Sequence, residues 1–174
     1  MPTLGAAHWI NPPPASSEAG DVLRVTTGKE TDFWNNTFYG FRHGNGHVLA
    51  TPVTGDFSLT ITFSASYATL YDQAGAMLVV DDDNWLKCGV EFTDGRKNFS
   101  VVVTRDDQSD WSVMPIDGAV NAPVTLRLTR HAEALRVEVE DGGKFRLVRL
   151  AFRACPRRSR RDQCAARRSA KASR

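Results

Sequence analysis

The feature that most restricts the fold is an alternation of period two, repeated along most of the chain. In "DFSLTITFSA" (56–65), Phe57, Leu59, Ile61 and Phe63 fall on one side and Ser58, Thr60, Thr62 and Ser64 on the other. "VTLRLTR" sets Val124, Leu126 and Leu128 against Thr125, Arg127 and Thr129. "ALRVEVE" sets Leu135, Val137 and Val139 against Arg136, Glu138 and Glu140. Successive side chains of a strand point to opposite faces, so each segment is a strand with one apolar and one wet face. The same pattern predicts strands at 21–26, 47–51, 75–81, 85–92, 98–105, 110–114 and 144–152. Between them, "DDDN" (81–84), "TDGR" (93–96) and "EDGG" (140–143) supply the Asp, Asn and Gly that tight hairpin turns accept. Many short strands, short turns and no helical period predict an all-β sandwich of two antiparallel sheets, with a jelly-roll as the expected arrangement.

The 174 residues are enough for one well-buried core. Residues 1–152 are read as that domain and 153–174 as a basic tail. Of 22 Lys/Arg and 20 Asp/Glu, nine and one fall after Phe152, which leaves 13 and 19 in the body, a net of −6. The tail, "RACPRRSRRDQCAARRSAKASR", has no alternation and no aromatic residue and is expected to be disordered. Its arginines would attract phosphate, but the body shows no basic, aromatic-interleaved surface to join them, so no nucleic-acid partner is expected beyond the tail. No window approaches the roughly 18–20 apolar residues of a membrane helix, and "MPTLGAAHWINPPP" lacks the basic start and apolar run of a secretory signal. No membrane partner and a cytoplasmic location are the expectations. Cys88, Cys155 and Cys164 form no C-x-x-C pair or Cys/His cluster, so neither a disulfide framework nor a zinc site is predicted.

Chemistry-bearing residues concentrate around "VVDDDNWLKCGVEF" (79–92). A strand through this segment puts Leu86, Cys88, Val90 and Phe92 on a core face, with Cys88 a small buried hydrophobe. The other face carries Trp85, Lys87, Gly89 and Glu91: an aromatic plate, an amine and a carboxylate with glycine leaving room between them. Such a stripe can hold a sugar, Trp85 stacking on the ring while Lys87 and Glu91 bind hydroxyls. The plainer alternative is a Lys–Glu pair beside a half-buried Trp. Asp81, Asp82 and Asp83 are adjacent rather than alternate, which suits a turn better than a calcium loop. Loop segments "TDFWNNTFYG" (31–40), "LYDQAG" (Tyr71, Asp72, Gln73) and "QSDWS" (Asp110, Trp111) add further candidate ligand-binding groups, or are turn caps beside core aromatics.

No catalytic residue, metal or cofactor is predicted. There is no G-x-S-x-G elbow, phosphate-binding glycine loop or H-E-x-x-H. His43 and His47 read as loop histidines, and Arg136, Glu138 and Glu140 as an ordinary solvated strand face without the aromatic groove a glycosidase pair requires.

In order and spacing, "TDFWNNTFYGFRHGNGHVL", "LYDQAGAMLVVDDDNWLKCGVEF", "SVVVTRDDQSDWS" and "RLVRLAF" resemble the "regulation of enolase" family, over roughly residues 8–152. The matching positions include Asp32, Phe33, Trp34, Tyr71, Asp72, Gln73, Trp85, Lys87, Glu91, Ser109, Asp110 and Trp111. The resemblance implies a concanavalin A-like lectin/glucanase fold, a jelly-roll of two curved sheets, but no defined reaction. It also implies a further apolar stretch after Phe152, where this chain turns basic. A missing final strand, through a shifted reading frame or a divergent terminus, is the expectation there. Three functions follow: a non-enzymatic domain binding a carbohydrate or sugar-phosphate-like ligand, a glucanase-type enzyme, or a regulatory module that contacts a protein partner.

Overall fold

The computed structural model describes residues 7–152. Fourteen strands are present among them, and no helix. Eight long strands build two four-stranded antiparallel sheets. The first has the order β11-β10-β9-β8, from Gln73–Asp81 (β8), Asn84–Thr93 (β9), Arg96–Arg105 (β10) and Gln108–Pro115 (β11). The second has the order β14-β13-β12-β7, from Phe57–Phe63 (β7), Val124–His131 (β12), Ala134–Asp141 (β13) and Lys144–Phe152 (β14). The chain changes sheet twice, between β7 and β8 and between β11 and β12.

The inward residues of the two sheets make one core. Leu86, Cys88, Val90, Phe99, Val101 and Val103 of the first sheet meet Leu126, Leu128, Leu135, Val137 and Val139 of the second. These are the apolar positions of the alternating segments, and their burial is what holds the sandwich together. Cys88 belongs to this core; burial pushes its thiol up to about 12, which leaves it an inert hydrophobe. The predicted turns are turns. Asp94 and Gly95, and likewise Gly142 and Gly143, all have positive φ, the backbone of a two-residue hairpin that follows strand twist. Asp82 and Asp83 turn the chain between β8 and β9.

Six strands are short and lie outside the main sheets. They pair as His8–Ile10 (β1) with Val48–Ala50 (β6), Ala15–Ala19 (β2) with Val22–Thr26 (β3), and Phe33–Asn35 (β4) with Arg42–Gly44 (β5). Alternation foresaw β3 and, within the longer segment 47–51, β6, but not β1, β2, β4 or β5: β1, β4 and β5 have three residues each without a longer alternating run, and "ASSEA" has no apolar face. The β4–β5 hairpin matters most. It lies on the outer face of the first sheet, where Trp34 packs with Trp85 and Val102 in a second, smaller cluster that includes Phe33, Met77 and Trp111. Asn35 anchors it: its side-chain amide donates to the Asp82 carbonyl (3.1 Å) and to Asp107 Oδ1 (2.8 Å).

One expectation is corrected on the second sheet. Glu138 is not on an ordinary solvated face but is 1% exposed, held between Arg127 Nε and Arg136 Nη2, each at 2.8 Å. The Arg127 guanidinium in turn lies 4.1 Å over the Phe145 ring. Long arginine stems cover a carboxylate that the alternation alone assigns to water. The predicted disordered tail and the absence of a final strand after Phe152 lie outside the described residues.

Candidate functional site

The outer face of the first sheet is divided. The β4–β5 hairpin covers one end, and the other end is an open cleft of about 930 Å³, within the range of small-molecule sites. Its floor is made by Gly75 of β8 and Gly89 of β9, which are register partners. A Cβ on Gly75 would lie 2.7 Å from the Gly89 Cα, and one on Gly89 would lie 2.6 Å from the Gly75 Cα. Only two glycines allow the strands this approach, and together they expose bare backbone to the cleft.

Polar groups converge above this floor. Lys87 Nζ donates to Asp32 Oδ1 (2.6 Å) and to Gln73 Oε1 (2.8 Å), and Gln73 Nε2 donates to the same Asp32 oxygen (2.8 Å). Asp32 Oδ1 also accepts the Phe33 amide (2.7 Å), so three donors meet on one oxygen. The second oxygen, Oδ2, has no protein donor among the described residues. The carboxylate is held in place by its loop: the Asp32 carbonyl accepts the amides of Asn45 and Gly46, and its own amide donates to Asn45 Oδ1.

Glu91 sits deeper, only 6% exposed. Trp111 Nε1 on β11 donates to its Oε2 (3.1 Å) and to Ser100 Oγ (3.0 Å). Burial pushes the Glu91 carboxyl above the usual glutamate range; the Ser100 hydroxyl, the charge of Lys87 and the Trp111 indole oppose this, and the nearby Asp32 adds to it. His47 closes a wall of the cleft. Its Nε2 accepts the Gly28 amide (3.0 Å) and its Nδ1 faces the Asn11 carbonyl (2.7 Å), which requires the proton on Nδ1.

The eight ligand-binding candidates therefore separate. Tyr71, Asp72, Gln73, Lys87 and Glu91 all line the cleft. Tyr71, at φ 69°, presents a half-exposed ring at the rim. The Asp72 carboxylate accepts the amides of Ala68 (2.8 Å) and Thr69 (2.7 Å), so it fixes its own turn. Asp110 and Trp111 border a second, smaller groove of about 410 Å³ beside Trp34 and Tyr39, where Asp110 pairs with Arg149 at 2.9 Å. Trp85 lines neither hollow. It is 5% exposed, with Phe33 edge-on at 5.8 Å, so its ring is not free to stack on a ligand. The stripe of β9 is one face, as the alternation requires, but the hairpin seals its Trp end.

Asp32, weighed only as part of a candidate loop, completes the site together with Ser100 and His47, which were not singled out as binding residues. Asp32 was visible as part of "TDFWNN", but it lies 55 residues from Lys87, and only the fold places the two together.

A solved structure shares this architecture, and two proteins are similar in sequence. A solved structure, the crystal structure of a functionally unknown protein from Saccharomyces cerevisiae, superposes with a TM-score of 0.82 at 36% identity, covering 88% of this chain and 82% of that one. "Regulation of enolase protein 1" of Saccharomyces cerevisiae is 38% identical over 149 residues, 85% of this chain and 74% of the relative. An uncharacterised protein of Emericella nidulans is 35% identical over 140 residues, 76% of this chain and 68% of that protein. With residues 9–161 matching its profile, the chain belongs to the family described as "Protein of unknown function (DUF1349)".

Proposed function

We propose that the protein is a non-enzymatic binding domain whose cleft holds a small polyhydroxylated, carbohydrate-like ligand. The observation that carries this is the convergence of Asp32, Gln73, Lys87 and Glu91 over the Gly75–Gly89 floor. A sugar alternates hydroxyls with apolar C–H faces. It needs closely spaced donors and acceptors, a surface without side chains to lie on, and aromatic edges at the rim such as Tyr71 and Phe41. The finer fold belongs to the same proposal: two four-stranded antiparallel sheets exchanging the chain twice suit a concanavalin A-like jelly-roll, whose members bind sugars on one sheet. A cytoplasmic location is part of the same proposal. A glycan-array screen, followed by titration of any hit, tests the function. Lys87→Ala and Glu91→Ala are expected to weaken binding at least about tenfold, a loss of about 1.4 kcal/mol; unchanged binding in both variants rejects the site.

One observation favours a glucanase-type enzyme instead. Asp32 and Glu91 put two carboxylates in one cleft, one paired with a lysine and one pushed toward the protonated form by burial, the division of labour that glycoside hydrolysis uses. Release of the chromophore from aryl glycosides, abolished in Asp32→Asn, would establish that activity. A protein-contact role draws on the name of the yeast relative and on Phe38. That ring is 93% exposed at the β4–β5 tip, edge-on to Tyr39 at 5.1 Å. A Phe38→Ser variant that loses a partner while keeping sugar binding would assign the regulatory role to that tip.

A further inference from the structure

We propose that the cleft is selective for a ligand carrying a primary ammonium group, with an amino sugar as its simplest form, over neutral or phosphorylated counterparts. This rests on the ligand-binding function above and names its chemical class.

The charges around the cleft carry the inference. Glu30, Asp32, Asp72 and Glu91 line it against Lys29 and Lys87. Lys87 has its charge matched by Asp32 at 2.6 Å and a second N–H satisfied by Gln73 at 2.8 Å, so it offers little to an incoming anion. A phosphate would enter a hollow with a carboxylate excess and with its central lysine already neutralised. The geometry of Glu91 points the other way. The residue is 6% exposed, yet its hydrogen-bonding neighbours, the Trp111 indole and the Ser100 hydroxyl, are neutral, and no lysine or arginine forms an ion pair with it among the described residues. A buried carboxylate held by neutral donors is short of a cation. Asp32 lines the same cleft, and its Oδ2, without a protein donor among the described residues, can accept an N–H.

The experiment is calorimetric titration of the full chain with glucosamine, N-acetylglucosamine, glucose and glucose 6-phosphate, at a pH where the amine is protonated. N-acetylglucosamine keeps the shape of the amine at C2 without its charge. Glucosamine is expected to bind about tenfold more tightly than N-acetylglucosamine or glucose, with the phosphate ester weakest. In Glu91→Gln the ratio of glucosamine to glucose affinity falls toward one. Equal binding of charged and acetylated forms, or a phosphate ester that binds as well as glucosamine, overturns the ammonium selectivity while leaving the sugar site standing. A preference that persists in Glu91→Gln also overturns it. Failure of all four probes at millimolar concentration rejects both the selectivity and the sugar site. Should Glu91→Gln fail to fold, the comparison of glucosamine with its acetylated form on the unaltered protein decides alone.

Discussion

Two buried glutamates, Glu91 and Glu138, sit on different sheets in opposite electrostatic surroundings. Glu138 lies between two arginines; the Arg127 hydrogen bond, with the charges of Arg127 and Arg136, holds its carboxyl below the usual range despite burial. Glu91 has neutral donors, and burial raises it. The two therefore act on stability with opposite signs. Glu91 binds its proton more tightly when folded, so its contribution is fully present below the ordinary glutamate range and is lost as pH rises through its raised value. Glu91→Gln avoids that loss, and its Tm relative to the parent is expected to climb as pH rises above the ordinary glutamate range. Glu138 contributes above the ordinary range and loses that contribution as pH falls through its lowered value. Glu138→Gln should be destabilised at neutral pH, with the gap closing in acid. Thermal melts of both variants against pH check the pair; curves that run parallel to the parent would show that neither carboxylate is perturbed.

Among the elements, β8, β9 and the β4–β5 hairpin decide whether there is a site. The Gly75–Gly89 pair is the most demanding contact, since a methyl at Gly75 would overlap the Cys88 carbonyl and the Gly89 Cα. Gly75→Ala is expected to cost about 1–3 kcal/mol in urea unfolding and to disturb ligand binding. Gly44→Ala, in β5, would place its methyl where no other atom lies within 4 Å, and should stay within about 0.5 kcal/mol of the parent. The hairpin depends on Asn35, which is 1% exposed and bonded to the turns on either side of β9 and β10. Asn35→Ala removes one donor each from the Asp107 carboxylate and the Asp82 carbonyl, which both keep Arg42, and a loss of about 0.5–1.5 kcal/mol is expected. Amide exchange should accelerate first in β4 and β5, because the hairpin can detach while the sandwich stays folded. Uniform acceleration across both sheets would show instead that the hairpin is part of the cooperative core.

For the molecule as a whole, the core between the sheets carries the stability and the outer-face cluster shapes the cleft. Phe99, fully buried between the sheets, should cost about 3–5 kcal/mol when truncated to alanine, seen as a lower urea midpoint at unchanged m. The long strands and their core faces were legible from residue order. Leu86, Cys88 and Val90 point inward, and "DDDN" turns, because pleating and positive-φ turn chemistry are local and act wherever the residues occur. The short β4 and β5, with three residues each, are too brief to announce themselves that way. The alternation correctly put Trp85, Lys87 and Glu91 on one face, yet it could not say which part of that face is covered. Packing of the hairpin, distant in sequence, buries Trp85, brings Asp32 to Lys87 and leaves Glu91 at the base of an open cleft. Strand pattern follows from backbone geometry within a few residues, whereas a site is an arrangement of solvent access and charge that exists only once remote segments have packed together.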